Sequence, residues 1–372
     1  KSCTVMVLIK ELLNTLKKNK ISFYTGVPDS ILKDLSSHFN SLNKTKHIIA
    51  VNEGSAISIG IGYYLSTKKI ACVYLQNSGL GNAINPLISV AHRKVYSIPL
   101  LLMIGWRGSH NQNDQPQHKV KGKITLQLLK LLNINYCVLR KKKDLVKLDK
   151  LIKTSYHNKT TVACLIEKNI LKTQKKYKQI TKKKKFPLRK DFIFKLLKQI
   201  PNNSKIISTT GYTSRELMQI RKEKKLFKGK DFYMVGGMGH SSMVSLGYSL
   251  NSKRQIICLD GDGSILMHLG SLRTFGYLGN SNLKHILLNN NSHESVGGQP
   301  TTAIGIDFKK LVKSLGYKNY FKISQAKKIN FTIKRFLKSK GPSFLEVLIS
   351  VGSLDYLSRL NDLIKIKQKF ME

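Results

Sequence analysis

Short apolar runs rich in β-branched residues recur along this chain at helix-length intervals, and that alternation restricts the fold more than any other feature. In the first half the runs are ISFYTGVP (21–28), HIIAV (47–51), IACVYL (70–75), IPLLLMIG (98–105), NYCVLR (135–140) and TVACLIE (161–167). Such runs, separated by crossover-length segments, indicate a parallel sheet wrapped by helices. A second series follows: KIIST (205–209), DFYMVGG (231–237), QIICLD (255–260), KHILLNN (284–290) and SFLEVLI (343–349). The expected fold is therefore α/β, with two doubly wound parallel-sheet domains at 1–170 and 188–372. The segment 171–187 between them is heavily basic, lacks apolar periodicity and ends at Pro187, as a linker would. A chain of 372 residues supports two domains that each bury their own core. No internal repeat at the sequence level relates the two halves.

Charge narrows the function classes less than its size suggests. The chain carries 65 Lys plus Arg against 20 Asp plus Glu, a formal +45. Such an excess attracts polyanions without selectivity. It is mostly lysine, spread along the whole length, with few of the arginine–aromatic clusters that base recognition uses, so solvated faces and acidic small substrates are the simpler reading. The longest apolar runs, such as SIPLLLMIGW, fall well short of a bilayer span, and no signal-peptide cleavage pattern follows the first apolar patch. Five cysteines without C-x-x-C spacing read as reduced thiols of a cytoplasmic protein.

The stretch CLDGDGSIL (258–266) stops a strand, sets Asp262 between Gly261 and Gly263, and starts a helix near Ser264. A plain tight turn is one explanation. A calcium loop is a second, but the glycine falls at the wrong position and Ser271 stands where the terminal glutamate belongs. The next strand, HILLNNNSHES, ends in an asparagine run. Adjacent parallel strands joined by a helix end on the same sheet edge, so Asp262 and Asn290 would face one point. A carboxylate, an amide oxygen and a backbone carbonyl suit a small hard cation that also holds phosphate oxygens, magnesium on a diphosphate being the obvious case. The glycines permit close approach and the helix start offers free N–H groups.

G-D-G followed by N-N on the next strand is the thiamine diphosphate signature, and GDGSILMHLGSL…NLKHILLNNNSHESVGGQPT resembles the phosphonopyruvate decarboxylase family. TGVPDSILKDL, NEGSAISIGIGYYLSTKK, QNSGLGNAINPL, GWRG, DQPQHKVKGKIT and GGMGHSSM resemble that family's segments in the same order. The resemblance implies pyrimidine-binding and diphosphate-binding domains without a middle domain, and cofactors thiamine diphosphate and Mg2+. The implied reaction is decarboxylation of 3-phosphonopyruvate to phosphonoacetaldehyde and carbon dioxide, with sulfopyruvate or another 2-oxo acid as the alternative substrate; a noncatalytic polyanion-binding protein that keeps the fold is the remote alternative.

Residue roles follow from the same resemblance. Glu53 in AVNEGSA would bond the pyrimidine ring and promote removal of the C2 proton, although a surface acid at a helix start would look the same in sequence. Met238 would wedge between the cofactor rings, flanked by Gly236, Gly237 and Gly239, with the Gly236 carbonyl accepting from the pyrimidine amino group. Asp262, Asn290 and the Ser292 carbonyl would be the metal ligands, and Gly261, Gly263, Ser264 and His293 would line the diphosphate. Asn291 replaces a glycine of the family, a change that asparagine's tolerance of left-handed angles permits. Asp29 and His118 are candidate proton carriers near the substrate, and Arg107 and Arg359 candidate contacts to its anion. The chain departs from the family at Glu294, an aspartate elsewhere, and at Leu354, Tyr356 and Leu360, which stand for an arginine, an aspartate and a proline. Active sites of this type usually lie between subunits, so a homodimer or higher homo-oligomer is expected.

Overall fold

The computed structural model describes residues 6–110, 114–173 and 186–372. Most of the expected linker, residues 174–185, and Cys3 lie outside the described residues. The chain divides into two compact units, Lys1–Gln179 with Val296–Gln299, and Ile180–Ser295 with Pro300–Glu372.

The first unit is built on strands Tyr24–Gly26, His47–Ile49, Ala71–Gln76, Leu100–Gly105, Asn135–Leu139 and Val162–Ile166. Counted along the chain they lie in the order second, first, third, fourth, sixth, fifth, and every pairing is parallel. Side chains alternate between two apolar layers, because successive residues of a strand point to opposite faces. Ala71, Val73, Leu75, Leu100, Leu102 and Ile104 pack in one layer, while Cys72, Tyr74, Leu101 and Met103 pack in the other. That arrangement explains why these runs are apolar without a break.

The second unit repeats the plan. Its strands are Lys205–Ser208, Lys230–Tyr233, Ile256–Gly261, Leu283–Asn289, Asn319–Ile323 and Ser343–Leu348. Their order is again second, first, third, fourth, sixth, fifth, all parallel. Asn319–Ile323 was not among the expected strands. It lies at a sheet edge, where only Ile323 is fully buried, so its sequence NYFKI mixes polar and apolar residues.

Two buried lysines finish helices at the amino edge of this sheet. Nζ of Lys205 donates to the carbonyl of Phe370 in the last turn of the helix Leu363–Met371, and Nζ of Lys284 donates to the carbonyl of Ser339, just past the helix Ile329–Lys338. A cation at a helix C-terminus satisfies free carbonyls and the helix dipole together. Burial pushes the Lys284 amine down to about 8. Cys72, Cys164 and Cys258 are buried free thiols and Cys137 is half-buried. Among the described residues no helix is long and apolar enough to cross a membrane.

Candidate active site

In both sheets the winding direction reverses beside the first strand, and the carboxyl ends of the strands at such a reversal are where open α/β sheets bind ligands. In the first unit that edge collects most of the residues singled out in its sequence. Glu53 opens the helix Glu53–Thr67, whose start is capped by the Asn52 side chain accepting from the Ser55 N–H at 2.8 Å. Only 6% of Glu53 is exposed, so it is not a surface acid. Its Oε2 accepts from the Asn82 amide at 2.8 Å. Burial raises the Glu53 carboxyl above its ordinary range, and the Asn82 bond and the charge of Lys121 draw it part of the way back. The carboxylate lies against the turn Asn77–Gly79; a Cβ on Gly79 would stand 2.0 Å from Glu53 Oε1.

Asp29 is fully buried. Its Oδ2 accepts from the N–H groups of Ile31 at 3.0 Å and Leu32 at 3.2 Å, and its Oδ1 accepts from the Gln76 amide. Burial raises this carboxyl as well, while the Gln76 bond, the two backbone bonds and the charge of Arg107 oppose the rise. Arg107 holds Asp114 in a two-pronged ion pair, with Nε–Oδ2 at 2.6 Å and Nη2–Oδ1 at 2.5 Å, and donates to Ser30 Oγ at 3.3 Å. Burial alone would raise the Asp114 carboxyl; the Arg107 bonds, the Gln115 N–H and the charges of Arg107 and His118 instead hold it well below the carboxylate range. His118, half-buried, lies in the first turn of the helix Pro116–Leu131. An anion at Arg107 would therefore share a guanidinium already paired.

In the second unit the strand Ile256–Gly261 passes directly into the helix Asp262–Met267, which begins two residues before Ser264. Its neighbour Leu283–Asn289 is in register with it, Gly261 opposite Leu288, so the two tips end side by side. Asp262 is 3% exposed and accepts from Thr301 Oγ1 at 2.8 Å. Burial raises its carboxyl to about 6, against the pull of Thr301 and of backbone N–H groups that include Asn291. Thr301 also donates its N–H to the Asn291 carbonyl at 3.2 Å, which ties the two tips together. Asn290 Oδ1 accepts from the Ser292 N–H at 3.0 Å and its Nδ2 donates to Glu294 Oε2 at 3.0 Å. Asn291 has φ +54°, the left-handed geometry expected where the family carries glycine.

These residues fit a divalent cation. A buried carboxylate surrounded only by neutral donors gains from a positive charge beside it. The amide oxygen Asn291 Oδ1, buried and without a hydrogen-bond partner among the described residues, marks unsatisfied polar capacity at the same tip. Gly263 makes room for a ring, since a Cβ there would meet His293 Cε1 at 2.8 Å, and Met238 Cε also reaches this position. Burial depresses the His293 imidazole to about 4, so it is neutral at physiological pH. Gly237 and Gly239, on either side of Met238, both have positive φ. Ser264 Oγ fastens this loop to the turn, accepting from the Gly239 N–H at 3.1 Å and from Thr209 Oγ1 at 2.9 Å.

The departures have structural consequences. Leu354 packs against the apolar core of the unit, Leu360 is buried, and Tyr356 is 89% exposed. Arg359 is exposed, and its charge lies close enough to Arg215 to depress it further after burial has done so. Asn82, Gln76, Thr209 and Thr301 were not expected at the site. Gln76, Asn82 and Thr301 stand in segments that carry the family resemblance, but each, like Thr209, lies far in sequence from the group it serves, so the contact itself is not readable there.

Residues 6–128 match the model for the thiamine pyrophosphate enzyme N-terminal TPP binding domain, and residues 209–347 that for the C-terminal TPP binding domain. Fold and site thus define a thiamine pyrophosphate enzyme in which the two cofactor-binding domains follow one another along the chain. The chain is 30% identical to phosphonopyruvate decarboxylase of Streptomyces viridochromogenes, over 91% of this chain and 87% of that one. It is 29% identical to phosphonopyruvate decarboxylase of Streptomyces hygroscopicus, over 95% and 90% of the two chains. Sulfopyruvate decarboxylase of Methanosarcina acetivorans is 24% identical, over 92% of each. The chain belongs to the phosphonopyruvate decarboxylase family of thiamine pyrophosphate enzymes.

Proposed function

We propose that this protein is a thiamine diphosphate- and magnesium-dependent carboxy-lyase that converts 3-phosphonopyruvate to phosphonoacetaldehyde and carbon dioxide, a step of phosphonate biosynthesis. One proton is taken up as the carbon–carbon bond breaks. The observation that carries the reading is the pair of adjacent strand tips where buried Asp262 meets the Asn290–Ser292 turn. Asp262 Oδ, Asn290 Oδ1 and the Ser292 carbonyl would hold Mg2+, while Gly261, Gly263, Ser264 and His293 would line the diphosphate. Bound thiamine diphosphate supplies the electron sink for the pair released as carbon dioxide departs. Gly236 would accept the pyrimidine amino hydrogen through its carbonyl, and Met238 would hold the rings bent.

Glu53 is assigned the proton at the pyrimidine ring, and its burial, which raises the carboxyl above its ordinary range, favours that role. Asp29 and His118 are assigned proton delivery to the product carbon, and Arg107 and Arg359 contact with the phosphonate. The surplus of positive charge would draw such a dianion toward the protein. The free thiols suit the cytoplasm, and a homo-oligomer is the proposed assembly.

Incubating the protein with cofactor and Mg2+ and identifying products from phosphonopyruvate, sulfopyruvate and pyruvate tests the reading. Phosphonoacetaldehyde should form with the largest kcat/KM, from a species that light scattering sizes as a dimer or larger. Preference for sulfopyruvate would reassign the substrate, and carbon dioxide release from none of the three would remove the enzyme assignment.

A further inference from the structure

An asparagine amide has two ends of nearly the same shape, and only the oxygen can bind a hard cation. Something must decide which end of Asn290 faces the metal position. From the geometry we infer that Glu294, fixed by the buried Arg189, is a positioning residue that orients the Asn290 amide with its oxygen toward the cation. This rests on Asn290 being a metal ligand, as proposed above.

The contacts leave the amide one orientation. Its oxygen accepts from the Ser292 N–H at 3.0 Å, and its nitrogen donates to Glu294 Oε2 at 3.0 Å. Both oxygens of Glu294 already accept from other fixed donors, so a flipped amide would set oxygen against oxygen at Glu294 and N–H against N–H at Ser292. Glu294 is held in place by Arg189, 4% exposed, whose Nη2 donates to Oε2 while Nη1 lies 3.4 Å from Glu216 Oε2. The other oxygen, Oε1, accepts from the Gly352 N–H at 2.6 Å. Glu294 thus joins three separate segments: the first turn of the helix Arg189–Gln199, the Asn290 tip and the chain at Gly352. An aspartate, the family's residue here, is one methylene shorter and would have to give up part of this span. The longer acid therefore has a specific task in this chain.

The experiment is a Mg2+ titration of the full-length protein at saturating thiamine diphosphate, followed calorimetrically and by the Mn2+ resonance when Mn2+ replaces Mg2+. Glu294→Gln keeps the shape but offers either a donor or an acceptor to Asn290. Metal affinity should fall by about 10- to 100-fold, the range for partners that orient ligands. Near-wild-type kcat should return at high Mg2+, with the metal-free unfolding midpoint unchanged. In an Asn290→Asp background no amide remains to orient, and Glu294→Gln should no longer weaken the metal. Arg189→Lys, which keeps the charge but loses the fork, should weaken it by a smaller factor. Unchanged affinity in a folded Glu294→Gln protein, or the same loss in both backgrounds, overturns the inference. A wild-type protein that takes up no metal with the cofactor would instead overturn the cofactor assignment, a distinct readout.

Discussion

At the scale of single residues, the chain spends its scarce carboxylates in unusual places. Of 20 acidic residues, Asp29, Glu53, Asp144, Glu167, Glu216, Asp260, Asp262 and Glu346 are almost wholly removed from water. Burying an acid is unfavourable unless a partner or a task offsets it. Among the described residues Glu53 has only the Asn82 amide as a direct side-chain partner, which is weak compensation for a charge. Glu53→Gln preserves volume and the contact while removing the exchangeable proton. Turnover should drop by at least about 100-fold, the usual effect of deleting a proton-transfer group, with calorimetric cofactor affinity nearly intact. Activity within a few fold of wild type would take Glu53 out of the mechanism. Sequence made Glu53, Asp262 and Asn290 legible because each follows an apolar run at a place where sheets end in loops. It could not reveal Asn82, Thr301 or Arg189, whose roles exist only after folding brings distant loops together.

At the scale of elements, the tight turn Asn77–Gly79 and the helix Glu53–Thr67 form one device. Gly79 has an ordinary helical backbone, φ −84° and ψ −6°, so alanine is conformationally acceptable there and by propensity alone would favour the helix that follows. Its methyl group would nevertheless collide with the Glu53 carboxylate at 2.0 Å. Gly79→Ala should therefore leave circular dichroism and the unfolding midpoint close to wild type while lowering kcat at least about tenfold. A variant with full activity would show that Glu53 need not lie over this turn. Central strands were readable as unbroken apolar runs because helices cover both faces. The edge strand Asn319–Ile323 is not legible in the sequence because one side of it faces water, so its pattern does not differ from that of a loop.

At the scale of the whole molecule, a net +45 on one chain is a store of self-repulsion that counter-ions relieve. Raising NaCl from about 20 mM to about 200 mM, which shortens the screening length severalfold, should raise the calorimetric unfolding midpoint by several degrees. A midpoint that falls over this range would mean that net attraction among surface charges outweighs the repulsion. The identical strand order of the two sheets bears on refolding as well as on the native state. A newly unfolded chain holds two sets of parallel strands built to the same winding rule, so each half offers decoys to the other and to neighbouring chains. Mutual repulsion between molecules so rich in lysine keeps such half-made sheets apart until each has closed on its own partners.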